Sequence, residues 1–165
     1  MNDRTGQTVP PLQDLTGLAV SLALAFGVAA VGGWVTAGSV TSWYPTLAKP
    51  SFNPPDWVFG PVWTALYTLM AVAAWRVWRK TGPLRQRALA LYGTQLALNL
   101  LWSTLFFGLN WIGAALIEIV LLLAAIVATG RAFRSIDRLA GLCFVPYAAW
   151  VAFALVLNAA IWRLN

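Results

Sequence analysis

Histidine is missing from this chain of 165 residues, and there is one cysteine, Cys143. Without imidazole there is no haem or metal site of the usual histidine type, and a serine or cysteine nucleophile has no usual base. A lone cysteine forms no intramolecular disulfide, and one inside an apolar run says nothing about redox compartment. Charge is also scarce. Only 10% of residues are charged against 60% hydrophobic, with a mean hydropathy of +0.72; an ordinary soluble domain is about 25% charged. No Asp, Glu, Lys or Arg lies between Asp14 and Lys49, Asp56 and Arg76, Arg87 and Glu118, or Arg138 and Arg163.

What fills those gaps is apolar sequence in runs of membrane length. A helix needs about 20 apolar residues to cross the hydrocarbon core. Five spans fit, at about 15–35, 58–75, 84–107, 111–131 and 139–162. Closed β-barrels are excluded, because their strands alternate over about 10 residues and these runs do not. The expected fold class is all-α: a polytopic bundle of five transmembrane helices in a single domain, residues 15–165. Residues 1–14, with Pro10 and Pro11, read as a mobile tail. The first span is longer than the roughly 7–15-residue apolar region of a signal peptide and follows one basic residue, Arg4, so it reads as a retained helix.

The net charge of +6 follows the spans and carries no nucleic-acid signature. With five crossings, nine of the 11 basic residues share one face: Arg4; Arg76, Arg79, Lys80, Arg85 and Arg87; Arg131, Arg134 and Arg138. Lys49 and Arg163 remain for the other. The positive-inside rule then puts the amino terminus in the cytoplasm and the first loop and carboxyl terminus outside. A bacterial inner membrane fits this charge pattern most simply, with an outer membrane as the alternative.

The first loop, 36–57, is long for a connection and chemically unusual. From Ser42 to Tyr67 the chain carries five prolines and seven aromatics but two charges, Lys49 and Asp56. Prolines fix φ and favour extended neighbours, so the loop should be a stiff lid.

Three spans each carry an aromatic stripe at helical spacing. The second has Trp63, Tyr67, Met70 and Ala74; the third has Gln95, Asn99, Trp102 and Phe106; the fifth has Tyr147, Trp150, Ala154 and Asn158. Spacing leaves two readings open. Aromatics form membrane-interface belts and amides join helices by hydrogen bonds; equally, the stripes could wall a ligand cavity. Glu118, the one acid inside a span, is either a relay residue or the partner of a polar contact. No second carboxylate accompanies it for acid–base hydrolysis. Gly93 with Ala97, and Gly113 with Ala114 and Ala115, offer close-approach surfaces for a homodimer or for packing within one chain.

Three motifs, "WYPTLAKPSFNPPDWVFGPVWTALY", "QLALNLLWSTLFFG" and "FVPYAAWVAFALVLNAAIWRLN", resemble the TspO/MBR family of tryptophan-rich sensory proteins, relatives of the mitochondrial translocator protein (peripheral benzodiazepine receptor). The resemblance runs from about residue 20 to the end. It implies a five-helix, commonly dimeric protein that binds porphyrins such as protoporphyrin IX and haem, along with sterols and benzodiazepine-type ligands. The implied pocket lies in the bundle under the first loop, with Trp43, Tyr44, Trp63, Tyr67, Asn99, Trp102, Trp150 and Ala154 on its walls. Phe106 and Tyr147 join them from the stripes. The family's cholesterol-recognition pattern is incomplete, since Ala159 and Ala160 follow Leu157-Asn158, which argues against a sterol site. Ala114 stands where mammalian relatives have tryptophan, and Ser51 where some bacterial members have another aromatic.

The expected function is therefore a membrane receptor or transport-type protein with porphyrin as ligand, membrane lipid around it and no obligatory cofactor or metal. The alternative is a light- and oxygen-dependent porphyrin-degrading enzyme in which Trp63 and Trp150 act as redox groups. A third reading is a scaffold whose aromatics only pack helices.

Overall fold

The computed structural model describes residues 11–165. Arg4 and residues 1–10 of the expected tail lie outside them. Among the described residues there is no strand. Helix α1 spans Pro11–Thr41, α2 Phe59–Trp78, α3 Leu84–Ser103 and α4 Ile112–Ile136; a short α5, Arg138–Leu142, runs at Cys143 into α6, Phe144–Leu164. Among the described residues, four stretches are long and apolar enough to cross a membrane: 12–41, 56–78, 112–136 and 138–164. Helix α3 is not one of them, since Arg85, Arg87, Gln95 and Asn99 dilute it. Large apolar side chains point outward, with Trp34 81% and Ile117 71% exposed. Water would not favour such a surface; lipid does.

Helix α1 differs from its expected 15–35 at both ends. Pro11 opens it, a position where the missing N–H costs nothing, and Asp14 adds a favourable charge to the first turn. Thr36, Thr41 and Ser42 do not break its far end, because their hydroxyls donate to carbonyls of the preceding turn, at Gly33 and Gly38. The helix therefore takes over residues 36–41 of the expected lid, and 31 residues give it about 46 Å of length.

Helix α4 lies centrally against α3 and α6, while α1 packs on α2. Ser21 Oγ donates to the Ala71 carbonyl at 2.7 Å. Near the start of α1, Asp14 accepts from Trp75 Nε1 at 3.0 Å and pairs with Arg79 at 2.9 Å. Arg76 reaches Asp137, in the corner between α4 and α5, at 2.9 Å. Burial opposes the charge on Asp137, but the Ala140 N–H and the Arg76 guanidinium outweigh it and hold the carboxyl below its ordinary range. Helix α3 ends in a wide turn at Thr104–Gly108, closed by Leu109 N–H to Thr104 O at 2.9 Å, and Asn110 takes a positive φ of 59°. Such widened turns favour functional sites.

Candidate functional site

A cavity of about 520 Å³ lies between α1, α2, α3 and the first loop. Its aromatic surface comes from Phe59 and Trp63 on α2, Trp102 on α3, Phe26 on α1, Tyr44 in the loop and Phe107 in the wide turn. Its polar floor is one pair. Tyr67 donates to Asn99 Oδ1 at 2.6 Å, and both line the cavity. Behind them, Asn99 Nδ2 donates to the Tyr147 hydroxyl at 3.0 Å. One amide thus joins α2, α3 and α6. Among the described residues, Asp56 is the sole charged one on the cavity wall. It lies close enough to act on Tyr44: burial raises the phenol above its ordinary value, and the Asp56 carboxylate adds to this. Tyr44 donates to Asn53 Oδ1 at 2.9 Å, while Lys49 Nζ sits 4.5 Å above its ring.

Of the ten expected pocket residues, Tyr44, Trp63, Tyr67, Asn99 and Trp102 meet at this cavity. Trp43, Phe106, Tyr147, Trp150 and Ala154 are not among its lining residues. Each has other work. Trp43 packs edge-on against Phe106 with centroids 5.7 Å apart, and Phe106 stacks behind Trp102 at 5.5 Å. Tyr147 is fully buried and spent on Asn99. Trp150 supports the wall from outside, 5.8 Å from Phe59, and Ala154 packs against the core. Its neighbour on the same stripe, Asn158, accepts from Trp102 Nε1 at 3.2 Å and donates to the Ile112 carbonyl at 3.1 Å. The α6 stripe therefore braces the site rather than facing it.

The wall that sequence reasoning missed belongs to α1: Phe26, Ala29, Ala30, Gly32, Gly33, Thr36 and Val40. Its signal in the sequence is small residues recurring at helical spacing between Phe26 and Val40. Gly33 and Gly60 have no atom within 4 Å of where a Cβ would stand. Their lack of side chains leaves the space open.

The TspO/MBR family matches residues 19–163. The chain belongs to the TspO/MBR family. It is 41% identical over 138 residues to the translocator protein of Homo sapiens, covering 82% of each chain. It is 42% identical over 152 residues to the tryptophan-rich protein TspO of Chlorobaculum tepidum, covering 90% of this chain and 95% of that one. With the tryptophan-rich sensory protein of Cereibacter sphaeroides it shares 43% identity over 141 residues, covering 84% of this chain and 88% of that one. As a TspO-family protein with apolar helices of spanning length, it is an integral membrane protein.

Proposed function

We propose that the cavity receives a planar amphipathic ring of the porphyrin type, protoporphyrin IX or haem, and that this TspO-family protein acts by binding it, in a sensory or tetrapyrrole-handling role. One observation carries the reading: flat faces from Phe59, Trp63 and Trp102 and the hydrogen-bonded polar pair Tyr67–Asn99 meet in one space of about 520 Å³. A porphyrin offers the same combination of wide apolar faces and a few polar edge groups. Aromatic pairs add about 0.5–1.5 kcal/mol each beyond area burial, and small-molecule sites span roughly 300–1,000 Å³. The relatives' names, translocator and sensory protein, support binding over turnover.

The same proposal includes five crossings, with α3 as a polar inner span, and the basic clusters Arg76–Arg87 and Arg131–Arg138 on the cytoplasmic side of an inner membrane. The first loop, from Ser42 onward, then covers the outer mouth. It includes a homodimer along α3, where Gly93 has nothing within 4 Å of a Cβ position and Ala97 is exposed. The α4 candidate is occupied, since Gly113 lies against Trp162 of its own chain.

Titration of the detergent-purified protein with protoporphyrin IX, read by tryptophan quenching in the dark and under light, tests the reading. Saturable quenching in the dark without product supports it. Absence of saturation overturns it. Product formed only with light and oxygen, and lost in Trp63→Phe, would instead make the protein an enzyme.

A further inference from the structure

Helices α1 and α2 are bonded to each other at one end only. Asp14 meets Trp75 and Arg79 near the start of α1, and Ser21 reaches the Ala71 carbonyl. Among the described residues, no hydrogen bond or ion pair joins the two helices beyond Ser21. Phe26 still lies beside Tyr67, with centroids 6.4 Å apart. Past that pair α1 turns to other neighbours. A Cβ at Gly32 would stand 3.9 Å from Leu100 and Ser103 of α3, and one at Gly108 in the wide turn would stand 3.1 Å from Val35. Ser39 then donates to the Phe107 carbonyl. The half of α1 nearer the first loop thus leans on α3 and the wide turn, away from α2.

What this leaves between α1 and α2 is an open side of the cavity. Ala30, Gly33 and Val40 on α1, with Gly60 and Thr64 on α2, line the cavity and are exposed as well, so they form its rim. The rim is apolar. The hydroxyls of Thr36 and Thr64 are turned onto carbonyls of their own helices, at Gly33 and Gly60, at 3.0 and 2.9 Å. Nothing lies within 4 Å of a Cβ position at Gly33 or Gly60, so neither edge is narrowed there. Trp34, beside Gly33, and Trp57, shortly before Gly60, are 81% and 75% exposed, as suits aromatics at a bilayer interface. Phe26 lies about 10 Å further along α1, so the rim runs from the interface into the hydrocarbon.

The first loop, by contrast, is fastened. The Asn165 amide accepts from the Ala48 N–H at 3.0 Å and donates to the Ala48 carbonyl at 3.1 Å, tying the loop to the end of α6. Tyr44 is buried against Phe107, centroids 5.6 Å apart, and Phe52 packs edge-on against Phe153 of α6 at 6.4 Å. Entry through the loop would break both Asn165 bonds and expose Tyr44; entry between α1 and α2 breaks no hydrogen bond. We propose that the ligand enters from the lipid, edge-on between α1 and α2, and that the first loop is a fixed roof. The inference rests on the porphyrin-type reading above and adds that the ligand is taken from the bilayer and not from water.

Stopped-flow tryptophan quenching by protoporphyrin IX, with the protein in lipid nanodiscs, tests the route. Gly33→Leu together with Gly60→Leu narrows the rim from both helices. Association and dissociation should each slow by about tenfold, roughly 1.4 kcal/mol of added barrier. Kd should change much less, because a narrowed path does not alter the bound state. Asn165→Ala, which releases the loop, should leave both rates as they are. A protoporphyrin ester with a long alkyl chain, confined to the bilayer, should still compete with protoporphyrin IX. Association or dissociation left unchanged in the glycine pair overturns lateral entry. So does faster association in Asn165→Ala, or exclusion of the confined ester while free protoporphyrin IX binds. If protoporphyrin IX shows no saturable quenching in the unsubstituted protein, the binding reading itself falls, and the route falls with it.

Discussion

Asn99→Leu tests the joint on which the cavity floor depends. The native amide is 2% exposed and makes two interhelical bonds, from Tyr67 at 2.6 Å and to Tyr147 at 3.0 Å. Hydrogen bonds between membrane helices are worth about 0.6 kcal/mol on average and up to roughly 1.7, so losing two costs about 1.2 to 3.4 kcal/mol. At roughly 2–4 °C per kcal/mol for a chain of this size, the melting temperature in detergent should fall by several degrees. Leucine also leaves the Tyr67 hydroxyl without its acceptor, so Tyr67→Phe in that background should cost nothing further, although Tyr67→Phe alone should destabilise. Couplings of this kind are measured by the four-corner cycle. Porphyrin affinity should drop as well, by about 2- to 12-fold, the value of one hydrogen bond at about 0.5–1.5 kcal/mol. Additive losses in the cycle would refute the three-helix joint. An unchanged melting temperature would do the same, and unchanged affinity would remove Asn99 from the site.

Trp63→Ala should weaken protoporphyrin IX binding at least tenfold, about 1.4 kcal/mol, with a smaller loss for Trp150→Ala, which reaches the cavity only through Phe59; Trp75→Ala, bonded to Asp14 far from the cavity, should lower thermal stability and spare affinity. Equal affinities in all three would remove the cavity assignment. Because the folded Asp137 carboxyl lies below its unfolded value, its stabilisation is present above pH about 4 and lost as acid carries the pH down through the folded value; Asp137→Asn should be less stable at neutral pH and lose that part of the acid dependence in melting curves. Gly141→Ala would put a Cβ 2.7 Å from Arg134 Cα and 2.9 Å from Arg134 N. Backbone cannot yield cheaply, so the melting temperature should fall by about 2–12 °C, taking overpacking at about 1–3 kcal/mol, whereas Gly27→Ala, in open space, should not lower it. A reporter fused after Asn165 should be active only outside the cytoplasm and one in the Arg76–Arg87 loop only inside; the reverse pattern refutes the orientation.

Composition alone determined the solvent. Long runs without Asp, Glu, Lys or Arg and outward-pointing side chains such as Trp34 and Ile117 both follow from a bilayer surround. Periodicity determined which face of α2 and α3 turns inward, because a 3.6-residue repeat assigns side chains to a face. It could not say what each face would meet. Tyr147 and Asn158 on α6 have the same amide-and-aromatic character as the cavity residues, yet packing turned them to Asn99 and Trp102, so that they hold the walls in place. The α1 wall was illegible for the opposite reason. Gly33 shapes the cavity by what it lacks, and an absent side chain marks empty space only once a neighbouring helix is known to stop short of it. The partnerless oxygens of Tyr92, Gln95 and Glu118 are likewise a tertiary fact: any of them would have passed for a satisfied polar group until packing left each without a hydrogen-bond partner among the described residues.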